Sequence, residues 1–105
     1  MKHIVFGREF SKLEKDKFTT LRRGNHYKAG ITYKIMHPNG DFMAELVKIE
    51  IVPLNEIDKD LLMEDTDAKT YNEAIGTLQK LYKYTLKEDQ PMRILYLERR
   101  DDTWL

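Results

Sequence analysis

The dipeptide Asn39-Gly40, which stands between two stretches of alternating side chains, constrains the fold more than any other feature of the sequence. Before it, Ile31, Tyr33 and Ile35 alternate with mostly polar residues, which is the pattern of a half-buried strand. Asn-Gly readily adopts the backbone of a two-residue hairpin turn. The sequence therefore predicts an antiparallel hairpin at this point.

The return strand of this hairpin changes its apolar face part of the way along. Ala44 and Leu46 share one parity, whereas Val47, Ile49 and Ile51 share the other. Because successive side chains of a strand point to opposite faces, the change predicts a β-bulge near residues 46–47. A bulge there would supply the curvature that a barrel requires.

The other segments predict the element order β-α-β-β-β-α-β. Thr70 and Glu73 form a capping box at the start of an amphipathic helix with apolar residues at helical spacing. The acidic stretch 55–67 is expected to be irregular. The remaining predicted elements are a first strand at 3–6, a short helix at 8–16, a strand at 18–23 and a buried final strand at 92–98.

This pattern predicts an α+β fold in a single domain, residues 1–105. We expect a small mixed β-barrel with helices packed across its openings. An open α+β sheet is the alternative, because sequence patterns do not show whether a sheet closes.

Composition excludes several functional classes. The chain has no cysteine, which excludes disulfide scaffolds, Cys-zinc sites, iron–sulfur clusters and thiol catalysis. The three histidines lack zinc-ligand spacing, and the acidic cluster at 64–67 lacks the glycine and terminal glutamate of a calcium loop, so we expect no metal and no cofactor. Every apolar run is broken by charge, so we expect no membrane segment and a cytoplasmic location.

The formal net charge is zero, yet the charge is unevenly distributed. Residues 1–50 carry ten Lys or Arg against six Asp or Glu, a sum of +4, and residues 51–105 carry eight against twelve, a sum of −4. The basic excess is densest between Arg8 and Lys28. It indicates either a local anion-binding surface or an ordinary solvated face.

The sequence KFTTLR at 17–22, followed by YKAG at 27–30, resembles the ASCH domain family, relatives of the PUA RNA-binding fold. The resemblance extends over about residues 4–98 and includes the strand at 44–49 and the helix that ends at Tyr82. It implies a PUA-like β-barrel whose cleft binds RNA or a modified nucleoside. Some members resembling this chain are amidohydrolases that deacylate N4-acetylated cytidine, and others are ribonucleases.

The resemblance to the amidohydrolases also implies candidate catalytic residues. Lys17 and Thr20 match the family's lysine and the threonine three positions later, and the family's glutamate falls near Asp67, with Glu64 and Asp65 as alternatives. A threonine hydroxyl is a poor nucleophile without a base, and a lysine can be that base only if its pKa is lowered toward neutrality. Ordinary turn and strand positions are the alternative interpretation of Lys17 and Thr20.

A basic track for RNA is the interpretation that we place first. Arg22 could present a bidentate fork to a phosphate or to a base edge. The other candidate nucleic-acid contacts are Arg23, Lys28 and Lys34 as cations, with His26 and Tyr27 as stacking planes. A non-enzymatic adaptor is the remaining class, and it would predict an exposed apolar patch instead. The oligomeric state stays open.

Overall fold

The computed structural model describes residues 2–82, 87 and 89–100; Met1 and residues 83–86, 88 and 101–105 of the expected domain lie outside that part of the chain. Its strands are β1 (His3–Val5), β2 (Lys17–Arg22), β3 (Thr32–His37), β4 (Gly40–Pro53) and β5 (Pro91–Arg100). Its helices are α1 (Lys59–Thr66) and α2 (Tyr71–Tyr82), with 3₁₀-helices at Ser11–Glu14 and Leu54–Glu56.

The strands form one mixed five-stranded sheet in the order β1-β3-β4-β5-β2. β1 pairs with β3 in parallel, and the other neighbours are antiparallel. The predicted α+β class is confirmed. The predicted barrel is not: among the described residues β1 and β2 are unpaired edges, and the sheet does not close. A side-chain contact spans these edges, because Arg22 Nη2 donates to the carbonyl of Val5 at 3.2 Å.

The predicted hairpin is confirmed with a turn one residue earlier than expected. His37 pairs with Gly40, so Pro38 and Asn39 form the two-residue loop. Gly40 begins β4 with a φ of 140°, a backbone conformation that residues other than glycine rarely adopt. The predicted bulge is also confirmed, since the β4–β5 register shifts between Leu46 and Lys48.

The acidic stretch 55–67 was expected to be irregular, and this prediction is wrong. It contains α1, whose first turn is capped by the Asp58 carboxylate accepting from the backbone N–H groups of Asp60 and Leu61 at 2.8 and 3.2 Å. The three consecutive apolar residues at 61–63 do not form the spaced stripe of an amphipathic helix. The sequence signal for α1 is therefore the N-cap residue Asp58 and not a periodic apolar stripe, so hydrophobic periodicity does not predict this helix.

The capping box at the start of α2 is confirmed. Thr70 Oγ1 accepts from the Glu73 backbone N–H at 3.1 Å, and Glu73 Oε2 accepts from the Lys69 N–H at 3.0 Å. The predicted helix at 8–16 is only the single 3₁₀ turn at Ser11–Glu14. No helix among the described residues is long and apolar enough to span a bilayer.

The core has two parts on opposite faces of β5. Leu95 and Leu97 contribute to a cluster enclosed by the curled sheet and the first 3₁₀-helix, whereas Met92 and Ile94 pack with α1 and α2. This two-sided burial is what the apolar sequence of β5 predicts. The second part, which contains Leu62 of α1 and Leu21 of β2, holds α1 against the free edge of β2.

Candidate functional site

A pocket of about 150 Å³ lies where the free edges of β1 and β2 approach each other. We name it the seam pocket. Its walls come from β1 and the segment that follows, from β2, and from the C-terminal half of α1 with one residue of α2. The lining residues that matter for its chemistry are Phe6, Phe10, Lys12, Thr20, Arg22 and Asp65.

Lys12 and Asp65 form a buried ion pair in this pocket. Lys12 Nζ lies 2.8 Å from Asp65 Oδ1, and their side chains are only 3% and 5% exposed. Asp65 also accepts from Thr19 Oγ1 at 3.1 Å and from the backbone N–H of Leu21, on the open edge of β2. The α1 carboxylate thus satisfies polar groups that the sheet leaves unpaired.

Burial controls the proton affinities of this pair. Desolvation lowers the pKa of Lys12 below its ordinary value of 10.5, against the opposing attraction of Asp65. Desolvation likewise raises the pKa of Asp65 above 3.8, against the opposing attraction of Lys12. The lowered pKa of Lys12 and the raised pKa of Asp65 reduce the difference in proton affinity between the two groups, which is an arrangement suited to acid–base chemistry.

Thr20 and Arg22 form the opposite wall. Arg22 Nε donates to Thr20 Oγ1 at 3.2 Å, and the Thr20 side chain is buried. The Arg22 guanidinium carbon lies 5.0 Å from the centroid of the Phe6 ring, and Lys12 Nζ lies 5.1 Å from the same centroid. Phe6 therefore lies within cation–π distance of both cations that line the pocket.

The segment 8–15 closes one side of the pocket by contacting each of the four residues 64–67 at the end of α1. The contacts are Arg8 Nη2 to the Thr66 carbonyl at 3.0 Å, Ser11 N–H to Asp67 Oδ2 at 2.7 Å, Lys12 to Asp65, and the ion pair of Lys15 with Glu64. This row of contacts fixes Lys12 against α1.

The structure distributes the predicted catalytic residues over three pockets. Lys17 lines a separate pocket of about 390 Å³ together with Glu64, and Thr20 lines the seam pocket. Asp67 lines a third pocket, of about 320 Å³, and its carboxylate holds the backbone N–H and hydroxyl of Ser11. Of the predicted set, Thr20 and the alternative carboxylate Asp65 meet in the seam pocket, whereas Lys17 and the alternative carboxylate Glu64 meet in the second pocket.

Lys12 is the site residue that sequence reasoning missed. It follows Ser11 and precedes the buried Leu13 in a single 3₁₀ turn, too short for a periodic pattern to show which face is buried. A lysine beside an apolar position ordinarily lies in solvent. The sequence has no local signal that a carboxylate 53 positions away would bury it.

The predicted aromatic contacts lie in the loop between β2 and β3. His26 stacks on Tyr27 with ring centroids 4.0 Å apart, and the Tyr27 ring packs near Tyr33 at 6.2 Å. The backbone N–H of Lys28 donates to the Tyr33 hydroxyl at 3.0 Å. None of these loop residues lines the seam pocket.

The other predicted cations occupy separate places. Arg22 lines the seam pocket, while the carbonyl of Arg23 accepts from Arg93 Nη1 at 3.1 Å. Lys34, on β3, pairs with Asp41 at 3.3 Å. In the part of the chain that the structure describes, no group of three or more His, Cys, Asp or Glu side chains is arranged to hold a metal ion.

Comparisons with known proteins identify uncharacterised relatives. No family model matches the sequence. The chain is 32% identical over 110 residues to the uncharacterized protein MJ0364 of Methanocaldococcus jannaschii, a match that covers 94% of this chain and 96% of that protein.

Its fold resembles the crystal structure of protein EF3133 from Enterococcus faecalis V583, of family-model DUF984, with a TM-score of 0.62 and 16% sequence identity. That match covers 84% of this chain and 63% of the other, so the chain spans less than two thirds of its solved neighbour. At this identity the similarity shows the fold alone.

Proposed function

Since the chain belongs to the family of the uncharacterized Methanocaldococcus jannaschii protein MJ0364, we propose its function from its own site: the seam pocket binds one base of an RNA strand or a modified nucleoside. The resemblance of residues 17–30 to the ASCH domain family is the second support for this function. We include in the proposal that the family is of ASCH type.

One observation carries the proposal: a buried Lys–Asp pair, a buried hydroxyl and an arginine line a pocket that also has two aromatic walls. Ligand pockets commonly combine apolar and aromatic walls with a few convergent polar groups. Phe6 and Phe10 offer ring surface to a planar ligand. Lys12, Thr20 and Arg22 offer hydrogen-bond donors to its edge.

The size of the pocket limits the ligand. Pockets for drug-sized molecules hold about 300 to 1,000 Å³, so a pocket of about 150 Å³ suits a single ring system with its substituents. A stack of several bases would extend beyond it. We therefore expect a nucleoside, or one unstacked base of a strand, to be the unit that is bound.

The test is to titrate nucleosides and a short unstructured RNA into the wild-type protein and into two glycine variants. Calorimetry measures the affinity in each titration. A Cβ at Gly7, which lines the seam pocket, and a Cβ at Gly76, in α2, would each meet no atom within 4 Å. Gly7→Leu should fold and lose at least about tenfold in affinity by obstructing the pocket. Gly76→Leu, which alters a different pocket, should bind as wild type does.

Two results would contradict the proposal. The first is the absence of binding to every nucleoside and to RNA by folded wild-type protein. The second is equal affinity of the Gly7→Leu variant and the wild type.

Amide hydrolysis in the same pocket is a second candidate, favoured by the Lys12–Asp65 pair. Arg22 Nε donates to Thr20 Oγ1, so the guanidinium would stabilise negative charge on that oxygen as its proton leaves for the Lys–Asp pair. The Thr20 oxygen would attack the acyl carbon of N4-acetylcytidine, and the departing cytosine amine would take a proton from the pair. Water would then release acetate from the acyl-threonine, regenerating the hydroxyl.

This candidate requires turnover, which binding alone does not. Wild-type protein should release acetate from N4-acetylcytidine, and Thr20→Val, which keeps the side-chain shape, should abolish release. Binding of N4-acetylcytidine by the wild type without any acetate release would exclude the enzyme and leave the binding proposal standing.

A further inference from the structure

The charges lining the seam pocket do not cancel. Lys12 and Arg22 each contribute +1 and Asp65 contributes −1, which leaves a sum of +1. Moving a proton from Lys12 to Asp65 does not change that sum. Among the described residues, the Arg22 side chain donates hydrogen bonds to two neutral oxygens, Thr20 Oγ1 and the Val5 carbonyl, and no carboxylate forms an ion pair with it.

The hydrogen-bond inventory of the pocket points the same way. The acceptors Asp65 Oδ1, Thr20 Oγ1 and the Val5 carbonyl already accept protein donors. Donors remain in excess, because Arg22 uses two of its five N–H groups in these contacts and Lys12 uses one of three on Asp65. A ligand that fits this pocket must therefore supply acceptors.

We propose that the ligand of the seam pocket carries one negatively charged oxygen group, a phosphate or a carboxylate, which binds the remaining N–H groups of Arg22 and Lys12. This inference rests on the proposed nucleoside function and specifies its substrate class. An anion supplies the acceptors and cancels the uncompensated charge together. A neutral carbonyl would supply only the acceptor.

The position of Phe6 strengthens the argument. Arg22 and Lys12 both lie about 5 Å from its ring centroid, so the aromatic ring displaces water that would otherwise screen the two cations. Charge-assisted hydrogen bonds in such a partly dry site are stronger than neutral ones. Asp65 compensates only one of the two cations, and a bound oxyanion would compensate the other.

The experiment compares three probes by calorimetry: cytidine, cytidine 5′-monophosphate and 5-carboxycytidine. At least one anionic probe should bind about tenfold tighter than cytidine, the effect expected of a charge-assisted hydrogen bond. Tighter binding of the monophosphate places the charge on the nucleic-acid backbone. Tighter binding of the carboxylate places it on a modified base.

Substitutions at Arg22 test whether its guanidinium is the cation that binds the anionic group of the ligand. Arg22→Gln should reduce the advantage of the anionic probe over cytidine to within about twofold, and Arg22→Lys should retain part of it. Lys48→Gln is the matched control, because Lys48 is already paired with Glu50 and lies outside the pocket, and it should keep the full advantage.

The outcomes separate this inference from the proposed function. Equal affinity for all three probes would overturn the inference while leaving nucleoside binding intact. Failure of all three probes to bind would overturn both. An anionic advantage that Lys48→Gln removes and Arg22→Gln preserves would also overturn the inference.

Discussion

The ammonium of Lys12 lies 2.8 Å from the carboxylate of Asp65, although 53 positions separate the two residues in the chain and both side chains are almost fully buried. Removing either partner would leave a buried charge without compensation, which costs far more than the pair itself contributes. The pair therefore ties the segment before β2 to α1 and fixes the charge of the seam pocket.

Breaking this pair on one side should strongly destabilise the fold. We expect Lys12→Met to lower the free energy of unfolding by about 3 to 5 kcal/mol. The double variant Lys12→Met with Asp65→Asn should recover most of that loss, because the neutral amide oxygen still accepts from Thr19 and Leu21. Lys15→Met, which breaks the exposed Lys15–Glu64 pair, should cost less than about 1 kcal/mol. Urea denaturation measures all three, and equal losses for Lys12→Met and Lys15→Met would contradict the burial argument.

The two residues of the pair should make contributions to stability that change with pH in opposite directions. Above pH 3.8 the unfolded Asp65 loses its proton while the folded carboxyl, whose pKa is raised by burial, still holds it, so this contribution is lost as pH rises through the folded pKa. Lys12, whose pKa is lowered by burial, binds fewer protons when folded, so its contribution rises with pH until 10.5.

We therefore expect the difference in unfolding free energy between the wild type and the double variant to pass through a minimum at intermediate pH. Urea denaturation from about pH 3 to about pH 11 measures it. A difference that does not change with pH would show that neither pKa shifts on folding.

Thr20 and Lys17 should respond differently to substitution, although the sequence places them three positions apart. Thr20→Val removes a hydroxyl of the seam pocket and should weaken binding of N4-acetylcytidine by about three- to tenfold. Lys17→Met should leave that affinity within about twofold, because Lys17 lines a different pocket. Calorimetry measures both affinities. A larger loss of affinity in Lys17→Met than in Thr20→Val would show that the ligand binds in the pocket that Lys17 lines.

Asp67 should behave as a structural residue. It ends α1 with a φ of 57°, in the left-handed region, while its carboxylate holds Ser11. Asp67→Gly and Asp67→Ala both lose the Ser11 contact, but only alanine keeps the steric cost of that backbone, so Asp67→Ala should be about 1 kcal/mol less stable. Thermal unfolding compares the two, and unchanged nucleoside affinity in Asp67→Gly would exclude a binding role.

The Tyr96 hydroxyl should lose its proton at an unusually high pH. Its hydroxyl donates to the Glu50 carboxylate, and this hydrogen bond is the largest cause that raises its pKa from 10.0 to about 12. Glu50→Gln should return the pKa toward 10.0, because the neutral amide does not stabilise the protonated phenol in the same way. Ring-carbon NMR over a pH titration measures it, with Tyr96→Phe to assign the signal. A wild-type value near 10.0 would contradict the contact.

The local features of the fold could be predicted because neighbouring residues encode them. The Asn39-Gly40 turn signal, the parity change near Val47 and the Thr70 capping box each appear within a few positions of the element they specify. The hairpin, the bulge and the start of α2 follow from them. The turn register differs by one residue because Gly40, with its positive φ, begins the strand instead of completing the loop.

The sequence by itself determined the fold class, the hairpin and the basic character of the segment that holds Arg22. Only the tertiary structure decided that Lys12, and not Lys17, faces Thr20 and Asp65, because parity on β2 and the packing of α1 against its open edge select which side chains meet. Burial of a cation depends on a distant carboxylate, and neither that partner nor the desolvation it offsets is encoded in the residues beside Lys12. Long-range strand pairing likewise leaves β1 and β2 as the two edges of the sheet, and this determines where the pocket lies.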